Sequence, residues 1–564
     1  MLMKKPIILL LALMTFKVSA VEMSKVKPVK NVIFMIADGT SLPALSVTRY
    51  VNWYNNPDQE KLALDEILCG TVRTNCINAP IGDSAPTGAT YMTGHSAPAG
   101  YISTYSPDFG KDNFEKVDVT KTNGPAATIM EACKQVKGKS TGLVVTVNFN
   151  HATPSDCFSH YYNRNETAIL ASQIVNNNVD VVIASGNKYL TPELENYLEK
   201  RNYSVIRDDI QAMRSCTNNK MWALFRSKIF DYEIDCDKSK QPSLAEMTKL
   251  ALDKLSQNKK GFFVMVEGSQ IDFAAHNNDP AGIVSETLAF DKAVKVALDF
   301  AKKDKNTAVV ILSDHGNSGI TIGKYGLKGY SSIPMRKMFG PIADYKLSAE
   351  GMLKKLNSRP GSDAKRIFNK YANIDLSEQE LEKLYRCKGY KNSIYPEKER
   401  NNKIDGALYT SSFSRCIASI MVDHCNLGFS TSGHSGEDVF LGCYNPNGAD
   451  QLPIGMNTNV EINQYLCALC GMYNKLDEFS DNIYAHSDKV FNDYKVTIDK
   501  TNKKFPVLNV ENSENGKSFS IKAHTNVLYI KDGKNTIVDL PSVVIYVDKT
   551  DLFYVPKNIT EYLK

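Results

Sequence analysis

Long apolar runs are scarce in this chain of 564 residues. The run from Ile7 to Phe16 is too short to span a bilayer. No apolar tail closes the sequence, which argues against a glycolipid anchor. No cysteine stands beside Val18-Ser19-Ala20, which argues against a lipoprotein anchor. An excess of one charge is missing as well: the net +5 is small for the length and spread along the chain, so no nucleic-acid-binding signature is present. Long internal repeats and low-complexity tracts are likewise lacking.

What is present is ordinary globular composition, 43% hydrophobic and 23% charged, with length for two to four domains' worth of chain. Residues 1–20 read as a secretory signal: Lys4-Lys5, the short apolar segment, then a small-residue cleavage site. The mature protein is therefore expected to be exported, to a periplasm or outside the cell, without a membrane span. Twelve cysteines suit an oxidising compartment, although spacing does not settle their pairing. Cys467 and Cys470 form a CxxC inside an apolar helical pattern, Ile462 to Cys470, and are expected to be core residues.

The stretch from Gly261 to His276 organises the rest. It opens as an apolar run, Phe262 to Val266, short enough for a strand buried on both faces of a parallel sheet. It stops on Glu267-Gly268. If a helix follows, Asp272 and His276 stand at i and i+4 on one face. Such a pair alone is more often a surface ion pair than a metal site. Repetition changes the balance: Asn31 to Ala37 ends on Asp38-Gly39, and Thr307 to Ser313 ends on Asp314-His315-Gly316. Ligands of open α/β sheets bind at the carboxyl ends of the strands. Three such ends put their carboxylates along one rim.

Residues 44–68 read as a helix and Gly70 to Asn75 as a strand. In Asp83-Ser84-Ala85-Pro86, proline is tolerable only in a first helical turn, so Ser84 lies at a helix N-terminus, where an anion is favoured. Further strands are expected at Thr141 to Val147 and Val179 to Ser185, and helices after Ser243 (a capping box with Glu246) and over 281–303. This alternation means an α/β fold of three layers, a mostly parallel central sheet with helices on both faces. Residues of about 341–405 break the rhythm and read as a surface insertion. From about residue 489 the period becomes two, with strands at Asn526 to Ile530, Thr536 to Val538 and Val543 to Val547, and a turn near Asp532-Gly533: a small C-terminal β appendage.

Asp38, Glu267, Asp272, His276, Asp314, His315 and His434 are too many ligands for one ion. Imidazole with carboxylate suits zinc, and oxygen alone suits magnesium. Two metals with Ser84 as nucleophile and Arg164 as a bidentate clamp fit an in-line displacement at phosphorus.

Ala37-Asp38-Gly39, Asp83-Ser84-Ala85, His151-Ala152-Thr153-Pro154 with Arg164, Glu267 to His276, Ser313-Asp314-His315 and Gly433-His434-Ser435-Gly436-Glu437-Asp438 follow one another in an order that resembles the alkaline phosphatase family, from Asn31 to Gly471. The resemblance implies a phosphate monoester hydrolase working through a phosphoserine at Ser84, with two Zn2+ and one Mg2+. It gives Asp272, His276 and His434 to the first zinc, Asp38, Asp314 and His315 to the second, and Asp38, Glu267 and Thr153 to magnesium. It also implies a catalytic domain over 21–488, small-molecule phosphate monoesters as partners, and a homodimer as the assembly to test. Two positions depart from the best-known bacterial pattern: His151 replaces an aspartate beside the third metal, and Phe273 replaces a lysine or histidine near phosphate. A sulfatase is excluded because Gly88 occupies the arginine position after Ser84. The rivals are a phosphodiesterase of the same superfamily and a binding protein on an inactive scaffold.

Overall fold

In the computed structural model, Phe262–Glu267 is a strand buried at all six positions, as a continuous apolar run between parallel neighbours must be. The structure describes residues 21–226, 229–401, 412–531 and 535–564, with the backbone of 403–404 and 408–409. The signal segment and the turn near Asp532-Gly533 lie outside the described residues.

Ten strands form the central sheet: β1 Asn31–Ile36, β2 Leu68–Arg73, β3 Ser140–Asn148, β4 Val181–Ser185, β5 Ser204–Arg207, β6 Met221–Phe225, β7 Phe262–Glu267, β8 Thr307–Leu312, β9 Val439–Tyr444 and β10 Gly455–Thr458. Their spatial order is β10-β2-β9-β8-β1-β7-β3-β4-β6-β5. All neighbours are parallel except β9, which runs antiparallel to β2 and β8. The period of two divides each strand between two cores. Val32, Phe34 and Leu143 meet Ile129, Ile174 and Leu466 on one side. Ile33, Met35 and Val264 meet Met247, Leu255 and Phe290 on the other. Helices thus cover both faces, giving the three expected layers.

Local signals explain most boundaries. Ser243 Oγ accepts from Glu246 N at 3.2 Å and opens the helix Leu244–Leu255. Asp279 caps the long helix Pro280–Asp304, whose first residue is a proline without an N–H to satisfy. The helix read over 44–68 is a correction: it spans Leu42–Asn55, and a separate 3₁₀ turn covers Ala63–Glu66. Pro57 disfavours helical backbone in the residue before it, and this outweighs the apolar pattern that continues beyond. The strand read at 70–75 begins two residues earlier, at Leu68.

Between β8 and β9 five helices, Met335–Asp344 to Phe413–Asp423, build their own core around Met352, Phe368 and Ile417. A disulfide joins Cys387 to Cys416 there, and the ten other cysteines are free. Cys467 and Cys470 are buried core residues, as expected.

The appendage is a seven-stranded antiparallel sheet, from Ala485–His486 to Leu552–Val555, closed over Leu508, Phe519, Leu528 and Phe553. The two short strands read at 536–538 and 543–547 are one, Thr536–Val547. Its pairing slips opposite Thr525 and Val527, and Pro541 sits in that irregular stretch, where a missing donor is tolerated.

Candidate active site

Strands β8, β1 and β7 are adjacent, and Ile36 lies level with both Leu312 and Glu267. Asp38, Glu267 and Asp314 therefore leave the sheet side by side at its carboxyl rim. Gly39 follows Asp38 with φ 61°, and a Cβ there would stand 2.4 Å from Asp272 Oδ1, so only glycine fits. Its N–H donates to Asp314 Oδ1 at 3.0 Å. The expected helix forms over Gln270–His276 and puts His276 Nε2 3.3 Å from Asp272 Oδ2. A short antiparallel pairing of His434-Ser435 with Gly316-Asn317 carries the distant histidine to the same place.

All three histidines are oriented alike. His276 Nδ1 donates to Ser432 O at 2.9 Å, His315 Nδ1 to Gly316 O at 3.1 Å and His434 Nδ1 to Gly82 O at 3.0 Å. A carbonyl only accepts, so each Nδ1 carries the hydrogen and each Nε2 turns inward. There the Nε2 atoms of His276 and His434 face each other at 3.2 Å. His315 Nε2 lies 3.6 Å from Asp38 Oδ1 and 3.5 Å from Asp314 Oδ2. Among the described residues the ligand atoms gather into three overlapping groups: Asp272, His276 and His434; Asp38, Asp314 and His315; and Asp83, His315 and His434.

Both oxygens of Asp38, both of Glu267, Asp314 Oδ2 and Thr153 Oγ1 are buried without a hydrogen-bond partner. The side chains of Ser269, Asp38 and Thr153 approach Glu267, yet no bond is completed. Burial, then the charge of Asp314, pushes the Glu267 carboxyl up to about 8. Burial and the neighbouring Asp314, Asp272 and Glu267 raise Asp38 well above its ordinary value. Burial would raise Asp272 too, but its bond to His276 and the imidazoles of His315 and His434 hold it well below. Buried polar atoms without partners are costly. Lone pairs on oxygen and imidazole nitrogen facing a common space are the donor set of divalent cations. The residues present fit such ions.

Ser84 opens the helix Ser84–Thr93 and Pro86 sits in its first turn, as expected. Ser84 Oγ is 3.4 Å from His315 Nε2. Arg164 Nη1 donates to both oxygens of Asp83, at 2.8 and 3.0 Å, which leaves Nη2 available. Burial tends to raise the Asp83 carboxyl, but the Arg164 guanidinium first and the nearby His315 imidazole hold it below its usual value. His151 precedes the short helix that bears Thr153, without a side-chain capping bond, and its ring lies 6.0 Å from that of Phe273, so the two unusual positions adjoin. Burial and the Arg164 charge take the His151 imidazole down to about 4, which keeps it neutral near pH 7.

Three contributors were not read from the sequence. Asp83 carries no role in the sequence beyond standing before Ser84 at the helix start, yet it joins His315 and His434 and holds Arg164. Asn317 Nδ2 donates to Asp272 Oδ1 at 2.6 Å, and Arg415 Nη2, from the helical insertion, donates to His276 O at 2.7 Å. Asn317 stands two residues beyond His315, and that spacing was the one available signal. Asn317→Ala is expected to weaken metal retention by about ten- to a hundredfold, the usual cost of losing a group that orients a ligand. Titration with a competing chelator measures it; unchanged affinity would show that Asp272 needs no such support.

The family model for alkaline phosphatase matches residues 29–472. Alkaline phosphatase 4 of Bacillus subtilis is 33% identical over 445 residues, covering 77% of this chain and 87% of the relative. Alkaline phosphatase 3 of the same organism is 32% identical over 446 residues, with the same coverage of 77% and 87%. Among solved structures, a cold-active alkaline phosphatase from a psychrophilic Shewanella superposes with a TM-score of 0.65 at 26% identity, covering 78% of this chain and 99% of that one.

Proposed function

The chain belongs to the alkaline phosphatase family and is a phosphomonoesterase; from this premise we propose a two-step displacement through Ser84 at a centre for two zinc ions and one magnesium ion. Asp272, His276 and His434 would hold the first zinc, Asp38, Asp314 and His315 the second, and Asp38, Glu267 and Thr153 the magnesium. When bound, these ions supply Lewis acidity, which favours an ionised hydroxyl and neutralises charge on phosphoryl oxygens.

The side chains do the rest. Ser84 Oγ, 3% exposed as a residue and fixed at the first helical position, attacks phosphorus in line as the alcohol leaves. Water then cleaves the phosphoserine, returning the serine and releasing inorganic phosphate. Arg164 offers Nη2 to the equatorial oxygens while Asp83 holds Nη1, so the guanidinium is oriented before substrate arrives. A dianionic terminal phosphate suits this arrangement better than a diester does. His276 has a side chain 37% exposed, whereas those of His315 and Asp314 are fully buried. Substrate therefore enters from the His276 and His434 side.

The observation that supports this most is the pair of inward Nε2 atoms at 3.2 Å beside buried carboxylates without partners. The test is elemental analysis of the purified protein with hydrolysis of an aryl phosphate and its methyl diester, before and after chelation. Zinc and magnesium, monoester preference and loss of rate on chelation are expected; faster diester cleavage would replace the reading with a phosphodiesterase. Arg164→Ala should cost roughly 2–4 kcal/mol in kcat/KM, the scale of one preorganised donor. An unchanged kcat/KM would remove Arg164 from the site.

Export follows from the reading of residues 1–20. Among the described residues no helix is long and apolar enough to cross a membrane.

A further inference from the structure

Arg164 lies on a short loop, 161–166, between Tyr161 and the helix Thr167–Asn176. On its inner side the catalytic domain holds this loop through the backbone. Ile102 N donates to Tyr161 O at 2.8 Å, Tyr161 N to Ile102 O at 2.9 Å, and Arg164 N to Gly100 O at 2.8 Å. On its outer side, beside packing of Tyr162 against Tyr101 and the apolar cluster that includes Ala127, the polar side-chain anchors come from the β appendage. Asp548 Oδ1 accepts from two consecutive tyrosines, Tyr161 Oη at 3.0 Å and Tyr162 Oη at 2.6 Å. Lys504 Nζ meets Glu166 Oε2 at 2.6 Å. Lys549 Nζ sits 3.9 Å from the centre of the Tyr162 ring and donates to Tyr101 Oη at 3.3 Å. The loop is thus gripped three residues before Arg164, two before it and two after it.

The appendage that supplies these groups is itself fixed. His524 O accepts from Ser172 Oγ at 2.8 Å, and His524 Nδ1 meets Gln173 Nε2 at 3.0 Å, both on the helix that follows the loop. The His524 ring stands edge to face against Tyr161 and Phe505. An exposed ion pair alone does little. Asp548 differs because one carboxylate oxygen ties two adjacent side chains, and Tyr161 is mostly buried with its ring stacked on Tyr162 at 4.6 Å.

We propose that the C-terminal appendage is a positioning unit for Arg164: Asp548, Lys504 and Lys549 hold the 161–166 loop so that the guanidinium meets the phosphoryl group beside Ser84. None of the three is a catalytic residue; each acts through Arg164. The proposal rests on the phosphate-binding role given to Arg164 above.

The test is a mutant cycle in the full-length, metal-loaded protein, with kcat and KM for an aryl phosphate and inhibition by inorganic phosphate measured on each variant. Metal content and thermal unfolding are followed alongside. Asp548→Ala with Lys504→Ala should lower kcat/KM and weaken inorganic phosphate binding by about ten- to a hundredfold, the effect of a displaced positioning group. Asp548→Asn should recover most of the loss, since an amide oxygen still accepts from both tyrosines. With Arg164→Ala already present, the same changes should cost less than about twofold, because coupled residues are not additive. The single variants complete the cycle if the double variant does not fold. Full additivity on Arg164→Ala, or phosphate inhibition unmoved in the presence of Arg164, would overturn the proposal while leaving Arg164 in its role. If Arg164→Ala by itself leaves phosphate binding intact, the role of Arg164 fails first and the proposal with it.

Discussion

Ser84→Ala is expected to lower kcat for phosphate monoesters by about a thousandfold or more, the scale on which enzymes lose a nucleophile. The fold gives the substitution little else to disturb. Asp83, not Ser84, caps the helix, its Oδ1 accepting from Ser84 N at 2.9 Å. Among the described residues the Ser84 hydroxyl has one hydrogen-bond partner, His315 Nε2 at 3.4 Å, so the alanine variant removes an oxygen from the reaction and little from the core. Metal content and unfolding temperature should stay near those of the parent. Acid quenching during turnover should trap phosphoserine at Ser84 in the parent and none in the variant. A phosphorylated residue elsewhere, or a variant that turns over at the parental rate, would end the assignment.

The parts of this site that were legible in the sequence share one property: local geometry alone fixes them. The runs ending on Asp38, Glu267 and Asp314 are buried strands whichever neighbours they acquire, and parallel packing brings their ends to one rim. Asp272 and His276 needed only a helical turn. Pro86 confined Ser84 to a helix start. His434 stood out only by its residue type, since no periodicity marks it, and it reaches the site through two residue pairs of antiparallel bridge.

What was not legible depends on contacts between distant segments. Nothing near Asp83 announces Arg164, 81 residues further on. Nothing in the insertion marks Arg415 as the donor to His276 O, 139 residues away. The inward turn of the imidazoles depends on carbonyls of Ser432, Gly316 and Gly82, and a backbone carbonyl has no sequence signature. The appendage was visible as a β unit, but its period of two does not say which loop it would hold. Errors in the elements have the same origin. A helical pattern carried the first helix past Pro57, and Pro541 divided a strand that the sheet keeps whole by admitting an irregular pairing.

Removing the metals should make stability fall with rising pH more steeply than it does in the loaded protein. In the metal-free fold the buried Glu267 carboxyl is pushed up to about 8 and Asp38 is also raised, by burial first and by the clustered carboxylates next. Unfolded, both return to ordinary carboxylate values. Between those values and about 8 the folded state therefore binds more protons than the unfolded one, and stability is lost as pH rises, on the order of 1 kcal/mol per pH unit for each proton. Asp272 has the opposite shift, but its window lies below the ordinary aspartate value and does not overlap. Burial lowers His151 and His524, which acts the other way below about pH 6.5. The interval to compare is from about pH 6.5 to 8, where an unfolded histidine is already neutral. Burial also lifts Asp279 to about 7 and Glu286 to about 8, away from the site, and both slope the same way with or without metal, so the signal is the difference between the chelated and the loaded protein. With divalent ions in place the same carboxylates are ionised and compensated, so their contribution flattens. Calorimetry across this interval should show the chelated protein losing stability with pH more steeply than the loaded protein, the gap widening toward alkaline conditions. Parallel curves would mean that Asp38 and Glu267 do not need a cation to be buried as anions, and the case for a metal centre built on their missing partners would fall with them.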